Sequence, residues 1–152
     1  MQVFTRSVGA TFIPEGPYVL LVDDELQSVG PLGELVKLSG FASVAAKSAT
    51  DALACCFHRR PEVVVTDLEM PGADGRALAR RVRRRHPPVP IVLVTGQNLD
   101  NPEWALPADL FEAVFSKPLD FDRFLQTLTR IMNRRAAARR GGGDLDRSRF
   151  PR

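Results

Sequence analysis

Lysine is nearly missing from this chain: three lysines stand against 18 arginines. Where arginine is the habitual cation, Lys37, Lys47 and Lys117 mark places where a compact point charge replaces a planar fork. Cysteine is as scarce. Cys55 and Cys56 are neighbours, so they cannot staple distant parts of the chain, and a reducing, cytoplasmic setting is expected. No apolar run approaches ~20 residues, which excludes a membrane-spanning helix and a membrane partner. Met1 to Gly16 is interrupted by Arg6, Gly9, Pro14 and Glu15, so the apolar core of a signal peptide is lacking. A glycine-rich phosphate loop after a strand is absent too, which removes the P-loop and dinucleotide-binding readings.

What is present suffices for one domain. The chain has 152 residues, 44% of them hydrophobic. Its net charge of +3 is uneven: residues 133–152 hold seven Arg against two Asp, which leaves the preceding body near −2. The expected division is a loose leader over 1–16, with a short extended piece around Val8 to Ile13, a domain over 17–133, and a basic, disordered tail over 134–152. Met1 and the tail read as the two ends of a whole chain.

The domain alternates apolar runs with helical periods. Tyr18 to Val22, Phe41 to Ala46, Val63 to Thr66, Ile91 to Thr95 and Ala113 to Ser116 read as strands, the richest of them buried on both faces. Helices are expected over 25–38, with Val29, Leu32, Leu35 and Val36 inward, and over 48–58, with Ala52, Leu53, Cys56 and Phe57 inward. A third is expected over 75–86, with Leu78 and Val82 inward and its six arginines mostly solvated. The last starts at an Asp120 cap, with Phe121, Phe124, Leu125 and Leu128 on one face. Pro102 and Pro107 leave room for one or two helical turns between Gln97 and Glu112. Five β-α alternations predict a parallel sheet with helices on both faces and right-handed crossovers.

Four strand ends carry polar groups: Asp23 and Asp24, Asp67, Thr95, and Lys117. In a parallel sheet these share one edge, where ligands bind. Three carboxylates together raise one another's pKa unless a cation joins them, and oxygen-only ligands suit Mg²⁺. A carboxylate can accept a phosphoryl group, whose spread negative charge needs cations and hydroxyl or amide donors around it. Lys117, Thr95 and the open backbone of Gly96 supply those.

These residues resemble the receiver domain of two-component response regulators. Asp23-Asp24, Asp67 with Met70-Pro71-Gly72 behind it, Thr95-Gly96 and Lys117-Pro118 match its motif in order. The spacings are 43, 28 and 22 residues from Asp24 to Asp67 to Thr95 to Lys117, and the resemblance covers about Tyr18 to Asn133. It implies a five-stranded, doubly wound, flavodoxin-like sheet of order 2-1-3-4-5; a chemotaxis receiver is a standing example of that order. It further implies that Asp67 is the phosphoacceptor, and that Asp24, Asp67 and the Glu69 backbone carbonyl hold Mg²⁺, with Asp23 acting through water. Thr95 and Lys117 would bind phosphoryl oxygens, and the Lys117–Pro118 bond would be cis.

The implied protein is a stand-alone response regulator, not an enzyme beyond its own phosphorylation and dephosphorylation. The phosphoryl donor would be a sensor histidine kinase or a phosphotransfer protein. The signal would pass by protein binding or phosphorelay, and a homodimer stays open. One departure stands out: Val114 occupies the place of the usual aromatic switch, with Phe115 beside it, so conformational change is expected in the loop after Thr95. The alternatives are a degenerate receiver acting as an unphosphorylated interaction module, and nucleic-acid binding through the Arg-rich tail. The second lacks any accompanying DNA-binding module. A dehalogenase-like phosphatase would want Asp where Glu69 stands.

Overall fold

The computed structural model describes residues 5–8 and 11–148. It opens with two short antiparallel strands, β1 (Thr5–Val8) and β2 (Thr11–Pro14), paired from Thr5↔Pro14 to Val8↔Thr11. A loose leader was expected there. The pair packs against the edge strand of the main sheet and against α2, with Ile13 buried in the core, so tertiary contact and not periodicity holds it. Residues 1–4 and the connection at Gly9-Ala10 lie outside the described residues.

From Tyr18 the expected alternation follows. β3 (Tyr18–Val22) leads to α1 (Leu26–Leu38), β4 (Ala42–Ala46), α2 (Ala49–His58), β5 (Val63–Thr66), α3 (Gly75–Arg85), β6 (Ile91–Thr95), β7 (Ala113–Ser116) and α4 (Phe121–Ser148). The five strands from β3 onward form one parallel sheet of order β4-β3-β5-β6-β7. Counted from Tyr18 this is the predicted 2-1-3-4-5. Every residue of β3, β5 and β6 is buried, as unbroken valine and leucine runs covered on both faces require.

Alternation along the strands divides the core. Leu20, Val22 and Val64 face α2 and α3 with Cys56, Leu78 and Val82. Val19, Leu21 and Val65 face α1 and α4 with Val36, Phe124 and Leu128. Each large side chain so buried contributes about 2 kcal/mol of transfer free energy. Tyr18, the only tyrosine, is fully buried, and its hydroxyl donates to the Arg59 carbonyl at 2.5 Å.

Two predicted faces are rotated. In α2 the buried residues are Ala52, Cys55 and Cys56, while Phe57 is 70% exposed and lies under the Arg85 guanidinium, 4.7 Å from its ring centroid. Phe57 stands one helical step beyond the face that Cys56 defines. Phe121, the first residue of α4, is also exposed; the buried stripe begins at Phe124.

The expected disordered tail is replaced by helix. α4 passes Asn133 without a break and runs to Ser148. Ala136-Ala137-Ala138 and the arginines around them are strong helix formers, and Glu62 anchors this extension. Its buried carboxylate pairs with Arg135 Nε at 3.3 Å and with Arg139, while Arg134 pairs with Glu112. Residues 149–152 lie outside the described residues. Three of the seven tail arginines proposed for nucleic acid, Arg134, Arg135 and Arg139, are thus paired with carboxylates of the domain.

The fourth crossover keeps to the one or two turns that its prolines leave room for. Between β6 and β7 the only helical piece is one 3₁₀ turn, Pro102–Trp104. The prolines block an α-helix there, and without one Val114 stays 40% exposed. Among the described residues, no helix is long and apolar enough to cross a membrane.

Candidate functional site

Asp23, Asp67 and Lys117 each follow the last paired residue of a strand and Thr95 is such a residue, while Asp24 and Glu69 lie farther along the loops. The ladder carries one step further and fixes their backbones. Asp23 N donates to the Ala46 carbonyl, Asp67 N to the Val22 carbonyl and Lys117 N to the Thr95 carbonyl, at 3.1, 3.0 and 2.8 Å. Register then sets the neighbours: Val22 lies opposite Thr66 and Thr95 opposite Ser116. The side chains of Asp23, Asp67 and Lys117 therefore converge at one sheet edge. The Lys117–Pro118 bond is cis.

Lys117 is the hub. Its Nζ donates to Asp23 Oδ2 at 3.3 Å and to Asp67 Oδ2 at 3.4 Å. The second oxygens are held by backbone: Asp67 Oδ1 accepts from Leu68 N at 2.7 Å and Asp23 Oδ1 from Glu25 N at 2.9 Å. Asp23 is buried, Asp67 half-buried and Asp24 exposed. One carboxylate oxygen from each of the three lies within 4.8 Å of the others. An all-oxygen set at that spacing fits a hard divalent cation.

Burial pushes the Asp67 carboxyl above the ordinary carboxylate range, against the pull of Lys117 and the Leu68 amide and with the help of the Asp23 charge. Burial works the other way on Lys117, but Asp67 and Asp23 outweigh it and raise its ammonium above the usual lysine value. A lysine so placed stays charged, which is what a site for phosphoryl oxygens requires.

Thr95 is fully buried, and its Oγ1 accepts from Gln97 N at 3.0 Å. Gln97 Nε2 also donates to the Glu69 carboxylate, so these two side chains meet across the mouth of the site. With Asp24, Asp67, Gly96 and Lys117 they line an open cleft of about 540 Å³. Val114 and Phe115 lie away from it. Phe115 is buried and edge-on to Phe124, ring centroids 5.6 Å apart, so it is a core residue in its own register.

Two supporting residues were not singled out from sequence. Asp74 caps α3, its Oδ1 accepting from Arg76 N and Ala77 N at 2.8 and 3.0 Å. Gly75 packs directly on the acceptor loop: its N donates to the Leu68 carbonyl at 2.7 Å, and a Cβ there would lie 2.2 Å from the Asp67 carbonyl oxygen. The Asp-Gly pair after Pro71-Gly72 was the available signal. Gly72 itself sits at φ +84°, a turn conformation that favours glycine.

Known proteins resemble this chain in sequence and fold. The DctD C4-dicarboxylate transport transcriptional regulatory protein of Rhizobium meliloti is 32% identical over 120 residues, covering 78% of this chain and 26% of that protein. The nitrogen assimilation regulatory protein NtrX of Azorhizobium caulinodans is 29% identical over 117 residues, 75% of this chain and 26% of that one. The chain thus spans about a quarter of the length of these curated relatives.

Among solved structures, the signal receiver domain of an HD domain-containing protein from Pseudomonas fluorescens superposes with a TM-score of 0.73 at 26% identity, over 82% of this chain and 92% of that one. The response regulator TrrA of Thermotoga maritima, solved in complex with Mg(2+)-BeF, shares the fold at TM-score 0.69 and 24% identity, over 76% of this chain and 99% of its own. Residues 19–129 match the family model described as the response regulator receiver domain. With the sheet order, the carboxylate edge and that match over most of its length, the chain belongs to the response regulator receiver domain family.

Proposed function

We propose that Asp67 is the phosphoacceptor of a two-component response regulator and that it takes its phosphoryl group from a histidine kinase or a phosphotransfer protein. The observation that carries this reading is the double contact of Lys117 with Asp67 and Asp23 at the sheet edge. Asp67 Oδ1 is tied to the Leu68 amide. Oδ2 faces Lys117 and is the atom placed to attack. In the step, an Asp67 carboxylate oxygen forms a bond to phosphorus, the phosphorus–nitrogen bond of the donor phosphohistidine breaks, and the departing imidazole keeps the electron pair and takes up a proton.

Lys117 then exchanges part of its contact with Asp67 for a phosphoryl oxygen, and the buried Thr95 hydroxyl donates to another. Asp24, Asp67 and the Glu69 carbonyl are the groups that would hold Mg²⁺, with Asp23 contributing through water. When bound, the ion neutralises charge on the transferring phosphoryl oxygens. We place this chemistry in the cytoplasm. Burial raises both thiols, Cys56 to about 12, so neither is a ready nucleophile there.

Acetyl phosphate with Mg²⁺ tests the assignment. Intact mass should show one added phosphoryl group in the wild type and none in Asp67→Asn. A full mass shift in that variant would place the acceptor elsewhere.

A further inference from the structure

The segment from Gly96 to Glu112 crosses between two parallel strands with a single 3₁₀ turn. Its carbonyls lack helical partners, and α3 supplies donors in their place. Arg76 Nη1 donates to the Glu103 carbonyl at 3.1 Å and to the Ala105 carbonyl at 3.0 Å. Its Nη2 donates to Asp74 Oδ2 at 2.9 Å, and the guanidinium lies 5.5 Å from the centroid of the Trp104 ring. Two turns along the same stripe of α3, Arg83 Nη2 donates to the Leu110 carbonyl at 2.7 Å. Four of the six arginines of α3 are exposed as expected, and the other two, Arg76 and Arg83, are staples that bind this strap to the helix.

Both ends of the staple system reach the phosphorylation site. Gly75, one residue before Arg76, abuts the Asp67 carbonyl and donates to Leu68. Gln97, at the strap's start, donates to Thr95 Oγ1. Asp67 and Thr95 are two of the residues whose surroundings change when a phosphoryl group arrives, and each lies one contact from a strap anchor.

The last strand is a poorer candidate for movement. β7 is laddered to β6 at four positions, Phe115 is locked in the core, and Val114 has no ring to relocate. Most strap residues are exposed, and the Arg76 bonds to the strap carbonyls lie at the surface, where water competes for them.

We propose that Arg76 is a clamp holding the strap of residues 97–110 in the unphosphorylated arrangement, and that phosphorylation of Asp67 releases it and uncovers Trp104 as part of the signalling surface. This rests on Asp67 being the phosphoacceptor. Linkage makes the effect reciprocal: if phosphorylation opens the clamp, cutting the clamp favours the phosphorylated arrangement. Lysine cannot reproduce the fork in which Nη1 serves two strap carbonyls while Nη2 holds Asp74, so Arg76→Lys should fall between wild type and Arg76→Ala.

Trp104 is the only tryptophan, so its emission reports the strap without a label. The full chain is titrated with Mg²⁺ and beryllofluoride, a non-transferable stand-in for the phosphoryl group. Trp104 fluorescence, calorimetry and, with acetyl phosphate, intact mass are the readouts. Wild-type emission should shift toward that of a solvent-exposed indole. Arg76→Ala should show the shifted emission before any addition and bind beryllofluoride about fivefold more tightly. Trp104→Ala, which removes the stack from the other side, should also bind more tightly, and melting curves confirm that both variants fold. Unchanged wild-type emission while the phosphoryl mass is added and beryllofluoride binds would overturn the clamp. So would affinities in both variants no tighter than wild type. Absence of both phosphoryl mass and beryllofluoride binding in the wild type would instead remove the phosphoacceptor reading, and the clamp with it.

Discussion

Replacing Gly75 by alanine puts a methyl group against the backbone of the phosphoacceptor. The new Cβ would stand 2.2 Å from the Asp67 carbonyl oxygen and 3.2 Å from Leu68 Cα. An ordinary carbon–oxygen contact is about 3.3 Å, so α3 and the acceptor loop must part by about 1 Å. Both partners are backbone, and no flexible side-chain end can yield. Overpacking of this kind costs about 1–3 kcal/mol. The gain from removing a helical glycine is at most about 1 kcal/mol and smaller at the first helical position.

A net loss of about 2 kcal/mol lowers Tm by about 6 °C for a chain of this size. Displacing Asp67 by the same 1 Å should slow phosphorylation by acetyl phosphate by about ten- to a hundredfold. Gly30→Ala is the matched control. Gly30 lies inside α1 with nothing within 4 Å of the added Cβ, so that variant should melt higher and phosphorylate normally. The experiment is a pair of thermal melts and a mass-resolved time course for each variant. A Gly75→Ala protein that melts within a degree of wild type and phosphorylates at its rate would refute the argument that α3 is wedged against the acceptor.

Other outcomes follow from the same geometry. Truncation after Arg140 should leave Tm unchanged, whereas truncation after Asn133 removes both partners of Glu62 and should cost about 2–3 kcal/mol, less than the full penalty of a stranded buried charge because water gains access; denaturant unfolding of the two proteins makes the comparison. Asp74→Ala should cost about 1 kcal/mol at neutral pH. Burial opposes the Asp74 charge, but the Arg76 hydrogen bond and the Ala77 and Arg76 amides outweigh burial and hold the carboxyl below its ordinary value. A depressed folded pKa stabilises above the unfolded value of about 3.9 and loses that contribution as pH falls through the folded one. The gap between wild type and Asp74→Ala should therefore close below about pH 4, and a gap that widens on acidification would contradict the assignment.

The parts of the fold legible in sequence were those fixed by short-range pattern. Val63-Val64-Val65 and Ile91 to Val94 read as buried strands, and the polar residues that follow them fall at the sheet edge, so the placement of Asp67 and Thr95 there was legible before any geometry. What escaped depends on partners distant in sequence. The β1–β2 pair is held by burial of Ile13 beside β4 and α2, and no period in residues 1–16 announces it. The helix beyond Asn133 is anchored on Glu62, which reads locally as the polar start of a strand. The arginine run of α3 looks like a solvated face until the prolines of the next crossover leave carbonyls for it to satisfy. The Asp74-Gly75 pair marks a turn into α3 but not the contact Gly75 makes, because the atom it accommodates belongs to a residue eight positions earlier.

Tyr18, at the start of β3 and outside the strap, gives the molecule a second natural chromophore. Burial first, and the nearby thiols after it, push its phenol well above the ordinary tyrosine value. A raised folded pKa means that the folded protein keeps this proton while an unfolded chain would release it near pH 10, so the stability it confers is intact below that pH and drains away above it. Phenolate absorbance in alkali should therefore appear in step with global unfolding and not before. Tryptophan emission follows local opening of the strap, and tyrosine ionisation follows loss of the whole sheet, so two optical signals from one unlabelled sample separate a signalling movement from denaturation.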